Sequence, residues 1–130
     1  MDAETIQVVI FDGAPVNVHL LKWARNFPHM AMASDIMLKP YPDLVSMWRN
    51  KVCDWFLRET ELAHILMIDA DMVPLHETQP IWDEDAPIMG CDYIGSHASR
   101  AHDGPGFIGC GCMRISREAL ELIERPWFQF

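Results

Sequence analysis

Along the chain, unbroken apolar runs take turns with stripes of helical period. Ile6-Gln7-Val8-Val9-Ile10-Phe11 is β-rich and mostly apolar, and it stops at the turn pair Asp12-Gly13, which predicts a first strand. From Ala14 to Asn26 the large apolar residues Val16, Leu20 and Trp23, followed by Phe27, recur at helical spacing. Pro28 disfavours the α region at Phe27, so the spacing predicts one amphipathic helix that ends there. Met30 to Met37 reads as a short strand with Asp35 near its end, followed by a loop broken by Pro40 and Pro42. Asp43 is placed to cap a helix running to about Thr60. Leu44, Trp48, Val52 and Trp55/Phe56 form its apolar stripe, while Arg49, Lys51, Asp54 and Arg58 lie off it.

His64-Ile65-Leu66-Met67-Ile68 shows no alternation, as expected of a strand buried on both faces between helices, and it runs into Asp69-Ala70-Asp71. Strand and helix thus alternate, which predicts an α/β domain with a mostly parallel sheet. Beyond Pro74 the chain turns acidic and irregular as far as Asp85. Cys91 to Ser96 and Phe107 to Ile115 read as further strands, with a loop over His97 to Gly106 between them. Ser116 caps a short helix with Glu118 in its first turn, and that helix must stop before Arg125-Pro126.

Size and charge narrow the classes. A chain of 130 residues buries on the order of two thirds of its unfolded surface, which is enough for one domain without a disulfide or metal staple. Ten Lys and Arg against 19 Asp and Glu leave a net charge of −9, which argues against nucleic-acid and anionic-membrane partners. The start, Met1-Asp2-Ala3-Glu4, has no basic n-region or apolar h-region, and no apolar run reaches spanning length. A cytoplasmic location is expected, with Cys53, Cys91, Cys110 and Cys112 held as thiols. The acid is concentrated: residues 61 to 103 hold nine Asp and Glu against one base, Arg100. Cation-dependent chemistry belongs in that stretch.

Asp69-Ala70-Asp71 is the foremost candidate. In an open parallel sheet ligands bind beyond the carboxyl ends of the strands. Residues i and i+2 of an extended segment share a side, so both carboxylates can address one hard cation, Mg²⁺ or Mn²⁺, which in turn can hold a diphosphate. The plain alternative is that one Asp caps the next turn and the other is solvated. Arg49-Asn50 begins 20 positions before Asp69, on the helix that feeds this strand. It reads either as a solvated pair or as a fixed cation near phosphates, with an amide near a ribose or base. Gly109 and Gly111 share one face of the last strand, where a ligand or another backbone can approach closely. Cys110 and Cys112 share the other face, with their Cα atoms near the upper limit for bridging. Cys91, His97, His102, Cys110 and Cys112 are all zinc-ligand types, but without a Cys-x-x-Cys knuckle they do not read as a structural zinc site.

Taken in order, Trp48-Arg49-Asn50, Ile65-Leu66-Met67-Ile68-Asp69-Ala70-Asp71-Met72, Gly109-Cys110-Gly111-Cys112-Met113-Arg114-Ile115-Ser116-Arg117-Glu118 and Pro126-Trp127-Phe128 resemble the GT-A glycosyltransferases. The likeness is greatest to the short phage and bacterial branch near glycosyltransferase family 2, and it runs from about Val45 onward. It implies a minimal or truncated Rossmann-like domain over 1–130, with a nucleotide-binding half at 1–75 and an acceptor-side half at 76–130. The implied reaction moves a sugar from a nucleoside-diphosphate sugar to a glycan, protein or small-molecule acceptor. By the resemblance, Asp69 lies near the ribose or the metal and Asp71 ligates the Mn²⁺ or Mg²⁺ on the diphosphate. Arg49 and Asn50 sit beside the nucleotide, Asp12 and Asp35 are candidates for the base or ribose, and Gly109 and Gly111 border the sugar and acceptor. The catalytic base of inverting members, a later Glu-Asp or Asp, matches no residue here, nor does the further His that often completes their metal shell. The expectations are therefore a truncated form, a non-catalytic nucleotide- or metal-binding module, or a minimal enzyme that uses a loop residue such as Asp103, His97 or His102, or a partner chain. A homo-oligomer covering Trp127, Phe128 and Phe130 fits the first and third. A haloacid-dehalogenase-like phosphatase would instead use the first Asp as nucleophile, but its downstream Lys and acidic partners are not found.

Overall fold

The structure, a computed structural model, describes residues 2–37, 45–74, 85–91 and 111–129. After a 3-10 turn at Ala3–Thr5 come β1 (Ile6–Phe11), α1 (Val18–Ala24), β2 (Met30–Met32), α2 (Ala33–Met37) and α3 (Val45–Glu59). These are followed by β3 (His64–Asp69), β4 (Ile88–Gly90), β5 (Cys112–Ser116) and α4 (Arg117–Leu122). The strands form one five-stranded sheet in the order β2-β1-β3-β5-β4. β1 is parallel to both β2 and β3, whereas β5 is antiparallel to β3 and to β4, so a single strand opposes the direction of the other four. The fold is mixed α/β, parallel at its centre.

Period two is hidden inside the apolar runs. Val9, Phe11, Ile65 and Met67 face Trp48, Val52 and Phe56 of α3 and Leu120 of α4, while Ile6, Val8, Ile10, Leu66 and Ile68 face Leu20 and Ala24 of α1 and the nearby Phe27. Both faces of the central strands are covered, which is why no polar alternation appears in them. Each fully buried Ile, Leu or Val contributes about 1.5–3 kcal/mol.

α1 is shorter than its apolar stripe, because Asn17 accepts the His19 N–H at 2.8 Å and starts the helix at Val18. α3 matches its expected span; its expected cap, Asp43, lies outside the described residues. The expected strand over Met30 to Met37 is corrected. Only Met30–Met32 pairs with β1, and α2 follows at once. The Asp12 carboxylate takes both the N–H (3.0 Å) and the hydroxyl (2.5 Å) of Ser34, so the first turn of α2 is capped from across the chain. β4 ends at Gly90, so Cys91 follows a strand rather than starting one, and 92–96 lies outside the described residues. β5 begins at Cys112, after a turn residue at Gly111.

Ser116 caps α4 as expected, its hydroxyl accepting the Ala119 N–H at 3.0 Å. Arg117 then reaches back to α3. Its guanidinium donates to the carbonyls of Phe56, Leu57, Thr60 and Leu62 at 2.6–3.3 Å and lies 4.6 Å from the Phe56 ring centroid. Carbonyls left open at the end of a helix are thereby satisfied. Among the described residues no helix is long and apolar enough to cross a membrane.

Candidate functional site

The strand order creates the site. From β1 the chain passes through α1 to β2 on one side, then returns through α2 and α3 to β3 on the other. The order therefore reverses between β1 and β3, the position where open α/β sheets hold ligands beyond their carboxyl ends. Phe11 pairs with Asp69 in register, so Asp12 and Asp69 leave the sheet side by side at that point.

Asp69 closes β3 with its side chain 36% exposed, and Arg49, 12% exposed, donates one guanidinium nitrogen to it at 3.2 and 3.5 Å. Burial pushes the Asp69 carboxyl above its ordinary value, the Arg49 charge and hydrogen bond pull it back, and the nearby Asp71 charge pushes it up again. Burial wins. A carboxylate held this way gains from a further cation. Arg49 lies 6.0 Å from the Phe11 ring centroid and 5.9 Å from that of Phe128, at the outer edge of cation–π range.

The geometry of the acidic pair differs from the extended form expected of it. The strand stops at Asp69 and the chain turns through Ala70 and Asp71, with the Met72 N–H donating to the Asp69 carbonyl at 3.2 Å. The Asn17 N–H donates to the Ala70 carbonyl at 2.9 Å, which ties this turn to the segment after β1. Asp71 is exposed, and its charge reaches Asp69. Neither carboxylate is plugged beneath the core.

The remaining candidates divide. The Asn50 amide is engaged at both ends by the backbone of Phe128, donating to its carbonyl at 2.6 Å and accepting its N–H at 2.8 Å. It clamps the Pro126-Trp127-Phe128 segment beside Arg49. Asp12 caps α2 through Ser34. Asp35 stands exposed in the first turn of α2 and not at a strand end. Gly111 is buried, and its carbonyl accepts the Asp69 N–H at 2.9 Å, so this glycine supports Asp69 through the backbone. Gly109, Cys110, His97, His102 and Asp103 lie outside the described residues.

Sequence reasoning missed three participants. Gly13 sits against Trp48, whose ring would be 3.0 Å from an added Cβ, so a side chain there would press the indole back by a few tenths of an ångström. In the sequence Gly13 reads as half of a turn signal and not as a packing partner of the helix. Ser34 as a partner of Asp12, and Phe11 as a neighbour of Arg49, left no local signal. A groove of about 560 Å³ between Trp55 of α3 and Trp127, rimmed by Arg58 and Arg125, also begins at Asn50 but is lined by neither Asp69 nor Asp71.

Among the described residues no three His, Cys, Asp or Glu side chains gather as a metal cage. The donor set on this edge is two carboxylates, which suits an Mg²⁺- or Mn²⁺-type ion that takes its other oxygens from phosphates and water.

No protein-family profile matches the sequence, and no curated protein does. The fold is similar to that of a solved structure, A197 from STIV, with a TM-score of 0.67 at 20% sequence identity over 95% of this chain and 71% of that one. At such identity the likeness is one of fold.

Proposed function

We propose that the chain is a GT-A-type glycosyltransferase domain that binds a nucleoside-diphosphate sugar with a divalent cation and passes the sugar to an acceptor. The observation that carries this reading is the half-exposed Asp69 carboxylate at the β1–β3 switch point, raised by burial and by Asp71 and only partly balanced by Arg49. The order of the motifs along the chain adds support. Asp69 and Asp71 would hold the cation, which when bound supplies Lewis-acid stabilisation of charge on the leaving diphosphate. Arg49 fixes the Asp69 carboxylate in place. Asn50, through Phe128, keeps Arg49 under cover. Asp12 orders α2 at the nucleotide edge.

Thermal melting with metal and nucleotide tests the reading. Mn²⁺ together with uridine or guanosine diphosphate is expected to raise Tm, by about 2.7 kcal/mol of stabilisation when free ligand stands at a hundred times its Kd. Neither component alone should do as much. Asp71→Asn, at an exposed turn position, is expected to leave the unliganded Tm unchanged and to abolish the shift. Unshifted melting with every nucleotide and metal pair would overturn the reading. Binding of a nucleotide sugar without release of nucleoside diphosphate would turn it into that of a non-catalytic binding module.

A further inference from the structure

β4 and β5 pair antiparallel with Gly90 opposite Met113, which places Cys91 opposite Cys112 on the next rung. The Cys91 N–H donates to the Cys112 carbonyl at 3.2 Å, and the two Sγ atoms are 3.4 Å apart. Cys112 is buried and Cys91 half-buried. Directly opposed residues of an antiparallel pair have Cβ atoms about 4.5–5.5 Å apart, and a disulfide needs about 3.5–4.5 Å. Closing two sulfurs from 3.4 Å to about 2.05 Å thus takes side-chain rotation together with a drawing-in of the two strands by about 1 Å at this rung. Cys53 has no such option with this pair, because it belongs to the core cluster on the other face of the sheet, where burial pushes its thiol up to about 12.

We infer that Cys91 and Cys112 form an oxidation site at which a peroxide drives an intramolecular disulfide. The more exposed sulfur, Cys91, attacks the peroxide: an S–O bond forms, the O–O bond breaks, and the departing oxygen leaves as water with the thiol proton. The Cys112 sulfur then attacks the sulfur of this sulfenic acid. An S–S bond forms, the S–O bond breaks, and a second water carries off the Cys112 proton. Two thiols lose two electrons and one hydrogen peroxide becomes two waters.

The position gives the bond a consequence. Cys112 pairs with Ile68, and the neighbouring Gly111 carbonyl holds the Asp69 N–H. A bridge at Cys112 therefore fastens the strand that supports Asp69. It also closes a covalent ring across the 20 residues from 92 to 111. The thiol pair stands on its own geometry, whatever ligand Asp69 serves.

Peptide mapping of the whole chain decides the matter. The reduced protein is treated with hydrogen peroxide, alkylated, digested and read by mass spectrometry. The expected product is a peptide pair joined through Cys91 and Cys112, two hydrogens lighter than its parts and released by dithiothreitol. Tm of the oxidised form should rise by roughly 5–15 °C over the reduced form. Cys91→Ser, at the half-buried position, should lose both the linkage and the shift, and the mapping of the unsubstituted chain does not depend on how that variant folds. Over-oxidation of Cys91 to the sulfinic acid with Cys112 still alkylated, or a linkage through Cys110 in its place, would overturn the inference.

Discussion

His64 shows how far one residue's surroundings set its chemistry. It opens β3 opposite Ser116, and burial lowers the pKa of its imidazole; the Arg114 charge and the N-terminus lower it further, and Asp85 acts the other way. A histidine whose folded pKa lies below its unfolded value contributes stability above about pH 6.5, and that contribution is lost as pH falls through the folded value. Between those two values the unfolded chain binds more protons, so unfolding free energy should fall as the solution is acidified. Urea titrations at pH 7.5 and pH 5 check this. His64→Gln is expected to be less sensitive to that change than the unsubstituted chain, and equal loss in both would remove His64 as the cause. Arg114, fully buried on β5, also donates to the Ala86 carbonyl at 2.8 Å, so the charge that helps hold His64 neutral is itself anchored.

At the scale of elements, two helices start on different kinds of cap. α4 is capped by its own preceding residue, Ser116, which the sequence pattern identifies by itself because the cap and the N–H it serves lie three residues apart. Ser116→Ala should cost about 1 kcal/mol in chemical denaturation, and Ser116→Asp should keep most of it. α2 is capped from 22 residues away by Asp12, a partner that no local pattern names. That long reach explains why Met30 to Met37 reads as a strand. Its apolar residues are compatible with pairing, and the carboxylate of Asp12 arriving at Ser34 serves the helix turn that starts at Ala33. The same contrast separates Asp69, legible from the apolar run ahead of it, from Asp35, whose predicted strand end became a helical surface.

Across the whole molecule, Arg117 joins the last helix to the end of α3. Arg117→Met keeps most of the apolar stem over Phe56 but removes the guanidinium donor from the carbonyls of Leu57, Thr60 and Leu62, while the Phe56 carbonyl keeps the N–H and hydroxyl of Thr60. A loss of about 1.5–3 kcal/mol is expected from equilibrium unfolding, because part-buried acceptors lose a charged partner. Arg117→Lys should recover only part of it, since one ammonium cannot reproduce the planar fork. A loss below about 0.5 kcal/mol would show that solvent satisfies those carbonyls instead. Arg117 follows directly on β5, whose pairing with β3 brings the Gly111 carbonyl to the Asp69 N–H.

The sequence by itself determined the central strands, the long helix with Arg49 on it, the cap at Ser116 and the acidic pair after an apolar run. Each rests on interactions within a few residues, so a local pattern records it. Only the tertiary structure decided that β5 opposes its neighbours, that the chain reverses between β1 and β3, and that Asn50 spends its amide on Phe128. It also brought Cys91 to Cys112. These are contacts between residues far apart in the chain, chosen by which faces could be buried together, and no single segment contains both halves of the reason.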